Sequence, residues 1–376
     1  MSLLRIGALR LTDSAPVIVA HEFGYFAEEG VEAALSIEPS WANVADKLVY
    51  GALDAAVMLP PLAFAITLGA RGPAEPLIVP YALSLGGNTV TVRADLAALL
   101  HAAAKRSGMA AALAEALKRE RGETTLAVVH EYSSHSLLLR YWLASAGAEA
   151  GRDYRLSVVP PARSVEALKG GHILGFSAGS PWGDVAARAG VGANIATSHD
   201  IWRNAPEKVL AVRERWAEAN GEALKGMMRA LWRAARFCDA PENASYVASL
   251  LSRRAYLDVD SHAILSSLPG TLGSQTLSRF FAQAATFPWR SQALWFLEEM
   301  RRWGLIETET PLRALAERVY RPDLYAAALE PVGAPIPASG WKREGAHAQA
   351  WSLPASPAPI AMAPDAFCDG AVFDPL

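Results

Sequence analysis

Ser177 stands in Gly175-Phe176-Ser177-Ala178-Gly179, the G-x-S-x-G spacing that exposes a nucleophile on a strand-to-helix elbow in serine hydrolases. An apolar strand, Ile173 to Phe176, leads into it. Ser180-Pro181-Trp182 interrupts the turn that should open a helix, and no His-Gly-Gly loop lies upstream to hold an oxyanion. The partner acid and base would have to be Asp200 or Asp258 with His262, whose spacing is not distinctive. A serine hydrolase acting through Ser177 is thus a remote alternative. His130-Glu131-Tyr132-Ser133-Ser134-His135 is one residue longer than the zinc-peptidase H-E-x-x-H. Histidines five apart on a helix face different ways and cannot share one zinc ion. The plainer reading ends a strand at His130 and sets His135 at a helix start, capping N–H groups or meeting an anion. Trp41 and Lys208, one of only seven lysines against 28 arginines, mean little singly.

Composition narrows the chemistry further. The 376 residues carry 35 Lys plus Arg and 38 Asp plus Glu, a net charge of -3, too balanced for a nucleic-acid surface or a polybasic membrane binder. Two cysteines, Cys238 and Cys368, exclude a disulfide scaffold and a Cys-rich zinc module. Gly69 to Gly72 and Gly86-Gly87 have neither Walker nor dinucleotide spacing, so no nucleotide cofactor is expected. The apolar run Tyr50 to Leu68 is broken by Gly51, Asp54 and Pro60-Pro61, which argues against a membrane span or anchor. Met1 to Arg10 lacks the pattern of an export leader, which points to the cytoplasm, or to the periplasm if a leader precedes the chain.

Strand and helix signals alternate through the first 92 residues: strands at Leu3–Leu9, Val31–Ile37, Ala55–Leu59, Leu77–Leu85 and Thr89–Val92, with helices between. Asp13 is a candidate N-cap for a helix running to Glu29, and Ser40 or Trp41 opens another. This grammar implies a mostly parallel sheet covered by helices. A second α/β unit follows, with strands at Thr125–Val129, Arg155–Val159 and Ile173–Phe176. Val209–Arg213 is a last strand, then helices dominate to about Leu329, and a Pro- and Ala-rich tail wraps the surface from Glu330. The expected division is one discontinuous lobe, 1–92 plus 201–376, with a second lobe at 93–200. Loops gather at the carboxyl ends of the strands, where open α/β sheets bind ligands. Those loops are Thr12–Asp13, Ser40–Ala42, Gly86–Asn88, Glu131–His135, Gly179–Trp182 and Arg203–Lys208.

Ordered strings give these loops a context. They include Leu11-Thr12-Asp13-Ser14-Ala15-Pro16, Ser40-Trp41-Ala42-Asn43-Val44, Gly51-Ala52-Leu53-Asp54-Ala55-Ala56 and Leu139-Arg140-Tyr141-Trp142. Gly179-Ser180-Pro181-Trp182, Ile201-Trp202-Arg203-Asn204, Pro206-Glu207-Lys208-Val209-Leu210 and Tyr320-Arg321-Pro322-Asp323 follow in order. Together they resemble the NrtA/CmpA-type nitrate/bicarbonate solute-binding family, nearest in type to the leaderless NasS-like nitrate sensors, over about residues 5 to 326. The resemblance implies a class II periplasmic-binding-protein-like fold: two α/β lobes around a cleft, with a helical C-terminal extension. It also implies an oxyanion site at Trp41, Asn88, His135 and Lys208, with Asn88 where the family usually has glutamine.

Nitrate accepts hydrogen bonds and donates none, so indole, carboxamide, imidazole and ammonium N–H groups suit it. The bicarbonate-binding relatives carry an acidic group at the lysine position and use calcium. Lys208 therefore implies nitrate or nitrite, no metal and no other cofactor. The functional expectation is a non-enzymatic cytoplasmic sensor that restrains an RNA-binding antiterminator protein until the ion binds, without itself touching nucleic acid. The alternative is the substrate-binding component of a nitrate ABC transporter.

Overall fold

The computed structural model describes residues 3–119, 124–270 and 278–376. Met1 and Ser2, the first two residues of the segment that lacks a leader pattern, lie outside the described residues. The chain begins β1 (Leu4–Leu9), α1 (Ala15–Glu22), α2 (Tyr25–Glu28), β2 (Ala33–Glu38), α3 (Trp41–Val49), β3 (Ala55–Met58), α4 (Pro60–Leu68) and β4 (Leu77–Ala82). The expected long first helix is two pieces, because Gly24 adopts φ 70°, a left-handed turn that ends α1 and starts α2. α3 follows its pattern closely: Trp41, Val44, Ala45 and Leu48 form one buried stripe, and the Ser40 hydroxyl caps the helix at Asn43 N.

Two short strands, β5 (Leu85–Gly86) and β6 (Asn88–Arg93), carry the chain across to the second lobe. There follow α5 (Ala94–Ser107), α6 (Met109–Arg119), β7 (Thr125–Val128), α7 (Ser134–Ser145), β8 (Arg155–Val158), α8 (Ser164–Lys169), β9 (Gly175–Gly179), α9 (Trp182–Arg188), β10 (Gly192–Thr197) and α10 (Ser198–Ile201). β11 (Val209–Arg213) returns to the first lobe, where α11 (Glu214–Ala219), α12 (Gly221–Asp239), α13 (Ala244–Leu251), α14 (Ser261–Leu265) and α15 (Arg290–Arg302) follow.

The first sheet has the order β2-β1-β3-β11-β4, the second β10-β6-β9-β7-β8. This is the two-lobed α/β fold that the resemblance implies. Four strands of each sheet run parallel, as expected, and one in each is reversed. β11 runs antiparallel to β3 and β4, and β6 runs antiparallel to β9 and β10, because each enters its sheet from the other lobe. The strand at Thr89–Val92, expected to end the first lobe, belongs to the second sheet, so the first crossing precedes Asn88 rather than following residue 92.

The two crossings run side by side. Leu83 N donates to Lys208 O at 2.7 Å, Glu207 N to Ser84 O at 3.0 Å and Gly86 N to Ala205 O at 2.8 Å. Asn88 lies at the far end of one crossing, Glu207 and Lys208 at the far end of the other. The tail covers this hinge as expected of a wrapping segment. Phe367 stacks on Trp202 (ring centroids 4.6 Å) and also touches Trp295 of α15 and Tyr141 of α7. One hydrophobic cluster runs through both lobes.

Candidate functional site

All six loops singled out from the sequence meet at one place between the sheets. Thr12 N donates to Ser180 O and Ser180 N to Gly87 O, each at 2.8 Å, which joins three of them. Lys208 draws in three more: its ammonium reaches Asp13 Oδ2 at 2.8 Å, lies 5.4 Å from the Trp41 ring centre, and adjoins Glu207, which Ser134 Oγ meets at 2.9 Å. Trp41, Asn88, His135 and Lys208 are all buried here, with Lys208 and His135 at 0% exposure.

The electrostatics differ from the expected set of donors. Lys208 Nζ is held by two buried carboxylates, Asp13 Oδ2 at 2.8 Å and Glu207 Oε1 at 2.7 Å. Burial works to lower the Lys208 pKa, but these two carboxylates outweigh it and hold the ammonium above its ordinary value. Asp13 is pushed up by burial, against the pull of Lys208 and with the help of Glu207. His135 is driven well below its ordinary 6.5 by burial and then by Lys208, so its imidazole is neutral near pH 7. With both carboxylates ionised, the cluster carries one net negative charge.

The role expected of Asn88 also shifts. Its carboxamide Nδ2 donates to Glu207 Oε2, so that N–H supports a carboxylate rather than standing free for an ion. Glu207 is thus saturated with donors, from Asn88, Ser134 and Lys208. Other buried atoms are not. Trp41 Nε1, His135 Nε2, Asp13 Oδ1 and Asn88 Oδ1 have no hydrogen-bond partner among the described residues. Each such buried group costs about 1–3 kcal/mol unless something pairs it. An unpaired indole N–H and an imidazole nitrogen that donates in one of its tautomers, beside a buried ammonium, suit a small ligand rich in acceptors.

Several finer expectations change. Asp13 does not cap α1; it sits in a single 3₁₀ turn, Thr12–Ser14, with its side chain on Lys208. The cap of α7 is Ser133, whose hydroxyl accepts from Ser136 N at 3.0 Å, and not His135. His130 stands apart from His135, accepting from Tyr132 N, and burial depresses it to about 4. Ser177 lies in the middle of β9, paired with Val90 and Val128 and 4% exposed, so no elbow presents it to a substrate. Asp13, Glu207 and Ser134 are site members that the sequence does not mark as such: Asp13 reads as a cap, and the other two carry no role. The available signal was Glu207 standing next to the site lysine.

A calcium ion does not fit these carboxylates. Lys208 Nζ already lies within 2.8 Å of both, at the point where a cation would bridge them.

Comparison with known proteins agrees with this architecture. The NMT1-like family matches residues 2–252 of the chain. The chain belongs to the NMT1-like family. Within it, the resemblance to the nitrate/bicarbonate solute-binding proteins holds. The chain is 30% identical over 353 residues to the nitrate/nitrite binding protein NrtA of Synechococcus elongatus, covering 89% of this chain and 79% of that one. It is 34% identical over 351 residues to the nitrate import ATP-binding protein NrtC of Synechocystis, where it covers 88% of itself and only half of the relative. The crystal structure of the periplasmic nitrate-binding protein NrtA from Synechocystis superposes with a TM-score of 0.86 at 28% identity, covering all of this chain and 96% of that one. At family level, then, this NMT1-like chain has the architecture of a solute-binding protein, not of an enzyme. Among the described residues no helix is long and apolar enough to cross a membrane.

Proposed function

We propose that the chain binds nitrate or nitrite between its lobes, with Trp41 Nε1 and His135 Nε2 as donors and Lys208 as the attracting charge. The observation that carries this reading is the buried, unpaired indole N–H of Trp41 and the unpaired His135 Nε2 beside a buried ammonium where six loops converge. Neutral His135 still offers one N–H if its tautomer places the proton on Nε2, and indole always does. The relatives named for nitrate and nitrite support the choice of ion. Asn88 acts in this reading by holding Glu207, which in turn orients Lys208. The test is calorimetric titration with nitrate in excess chelator. One ion should bind per chain without metal; binding that vanishes in chelator and returns with calcium would refute the metal-free site.

Ion binding then serves delivery to a membrane transporter. The relatives' names support this use over the cytoplasmic sensor expected from the N-terminal residues. Co-purification with a neighbouring RNA-binding regulator that nitrate or nitrite releases would overturn the delivery reading in favour of the sensor.

A further inference from the structure

The charge count at Lys208 has a consequence for how an anion enters. One ammonium faces two carboxylates, both buried, so with both ionised the site is net negative before a monovalent anion arrives. Adding the anion alone would place a second net negative charge in the same water-poor space, where uncompensated charge is costly. Resting on the nitrate reading above, we propose that the anion is bound together with one proton, taken up by Asp13.

The two carboxylates are not equivalent. Glu207 accepts from Ser134, Asn88 and Lys208, and both of its oxygens are engaged. Asp13 meets Lys208 through Oδ2, while its buried Oδ1 has no partner among the described residues. A proton on Glu207 would break an existing donor contact; one on Asp13 Oδ1 breaks none. Once there, it turns an unpaired acceptor into a donor, the only kind of group nitrate can use.

The surroundings of Asp13 agree. Lys208 and Glu207 face it from the returning crossing. α7 brings Ser134 and the neutral His135 to the Glu207–Lys208 end of the cluster. β9 ends beside it in Gly179, where an added Cβ would lie 3.4 Å from Asp13 Oδ2, and the adjoining Thr12 Oγ1 accepts from the Ser267 hydroxyl at 3.2 Å. Burial already favours protonated Asp13, and a bound anion adds to that preference.

The experiment is titration of the full chain with nitrate in buffers of different ionisation enthalpy, repeated across pH. Nitrate brings no proton of its own, so any proton exchanged belongs to the protein. Uptake approaching one proton per ion is expected, with affinity falling by up to tenfold per pH unit as pH rises. Asp13→Asn should bring uptake close to zero and flatten the pH dependence. Nitrate binding with no proton uptake and no pH dependence would overturn this proposal and leave the nitrate reading standing. Uptake that persists in a folded Asp13→Asn protein would overturn the assignment to Asp13. Absence of nitrate binding at every pH would instead defeat the functional reading.

Discussion

Trp41→Phe isolates one donor. Phenylalanine keeps an aromatic face toward the Lys208 ammonium, now 5.4 Å from the indole ring, but removes the N–H. That N–H is buried, with no partner among the described residues, so no protein hydrogen bond is lost with it. A hydrogen bond to a charged partner contributes about 1.5–3 kcal/mol, so nitrate affinity should fall roughly ten- to a hundred-and-fifty-fold. The smaller ring also leaves a cavity, which lowers stability with or without the ion. The two effects separate in thermal unfolding. A cavity lowers the midpoint of the ion-free protein, whereas the lost donor shrinks the rise in midpoint that nitrate produces. Calorimetry gives the affinity directly. An affinity within twofold of the parent, with the nitrate-induced rise intact, would refute the placement of the ion against Trp41.

Lys208→Met should abolish nitrate binding and destabilise the fold by about 3–5 kcal/mol, since it leaves Asp13 and Glu207 buried without their cation; denaturant titration measures the loss. His135 has a folded pKa well below the 6.5 of an unfolded histidine, so it contributes stability above about pH 6.5 that is lost as pH falls. His135→Gln should therefore make the ion-free protein's stability less pH-dependent below pH 6.5, by up to about 1.4 kcal/mol per pH unit, in denaturant titrations at several pH values. Ser177→Ala should leave nitrate affinity within a few-fold, and neither form should hydrolyse a test ester, because Ser177 is buried mid-strand.

Much of the positioning was legible from residue order. Glycines, prolines and apolar runs mark most elements of the first lobe within a few residues, and strand-end loops indicate where a ligand site must form. Pairing direction was not legible, because β6 and β11 read like their parallel neighbours until the lobe supplying each is known. For the same reason the sequence pattern does not reveal that the first crossing precedes Asn88. Trp41, His135 and Lys208 are legible through motif resemblance, whereas local pattern alone leaves Trp41 a core residue, His135 a cap and Lys208 a solvated lysine. The carboxylates escaped for a physical reason. Asp13 before a proline-containing helix start looks like a cap, and Glu207 beside Lys208 looks like solvated charge. Only the fold, by setting the turn after β1 beside the returning crossing, turns both toward one ammonium.

The most direct test of the central claim is an experimental structure of the chain grown with nitrate. A planar ion should lie between the lobes, within hydrogen-bond distance of Trp41 Nε1, His135 Nε2 and Lys208 Nζ, with no metal beside Asp13 and Glu207. An ion bound elsewhere, or a metal replacing Lys208 Nζ between those carboxylates, would contradict it.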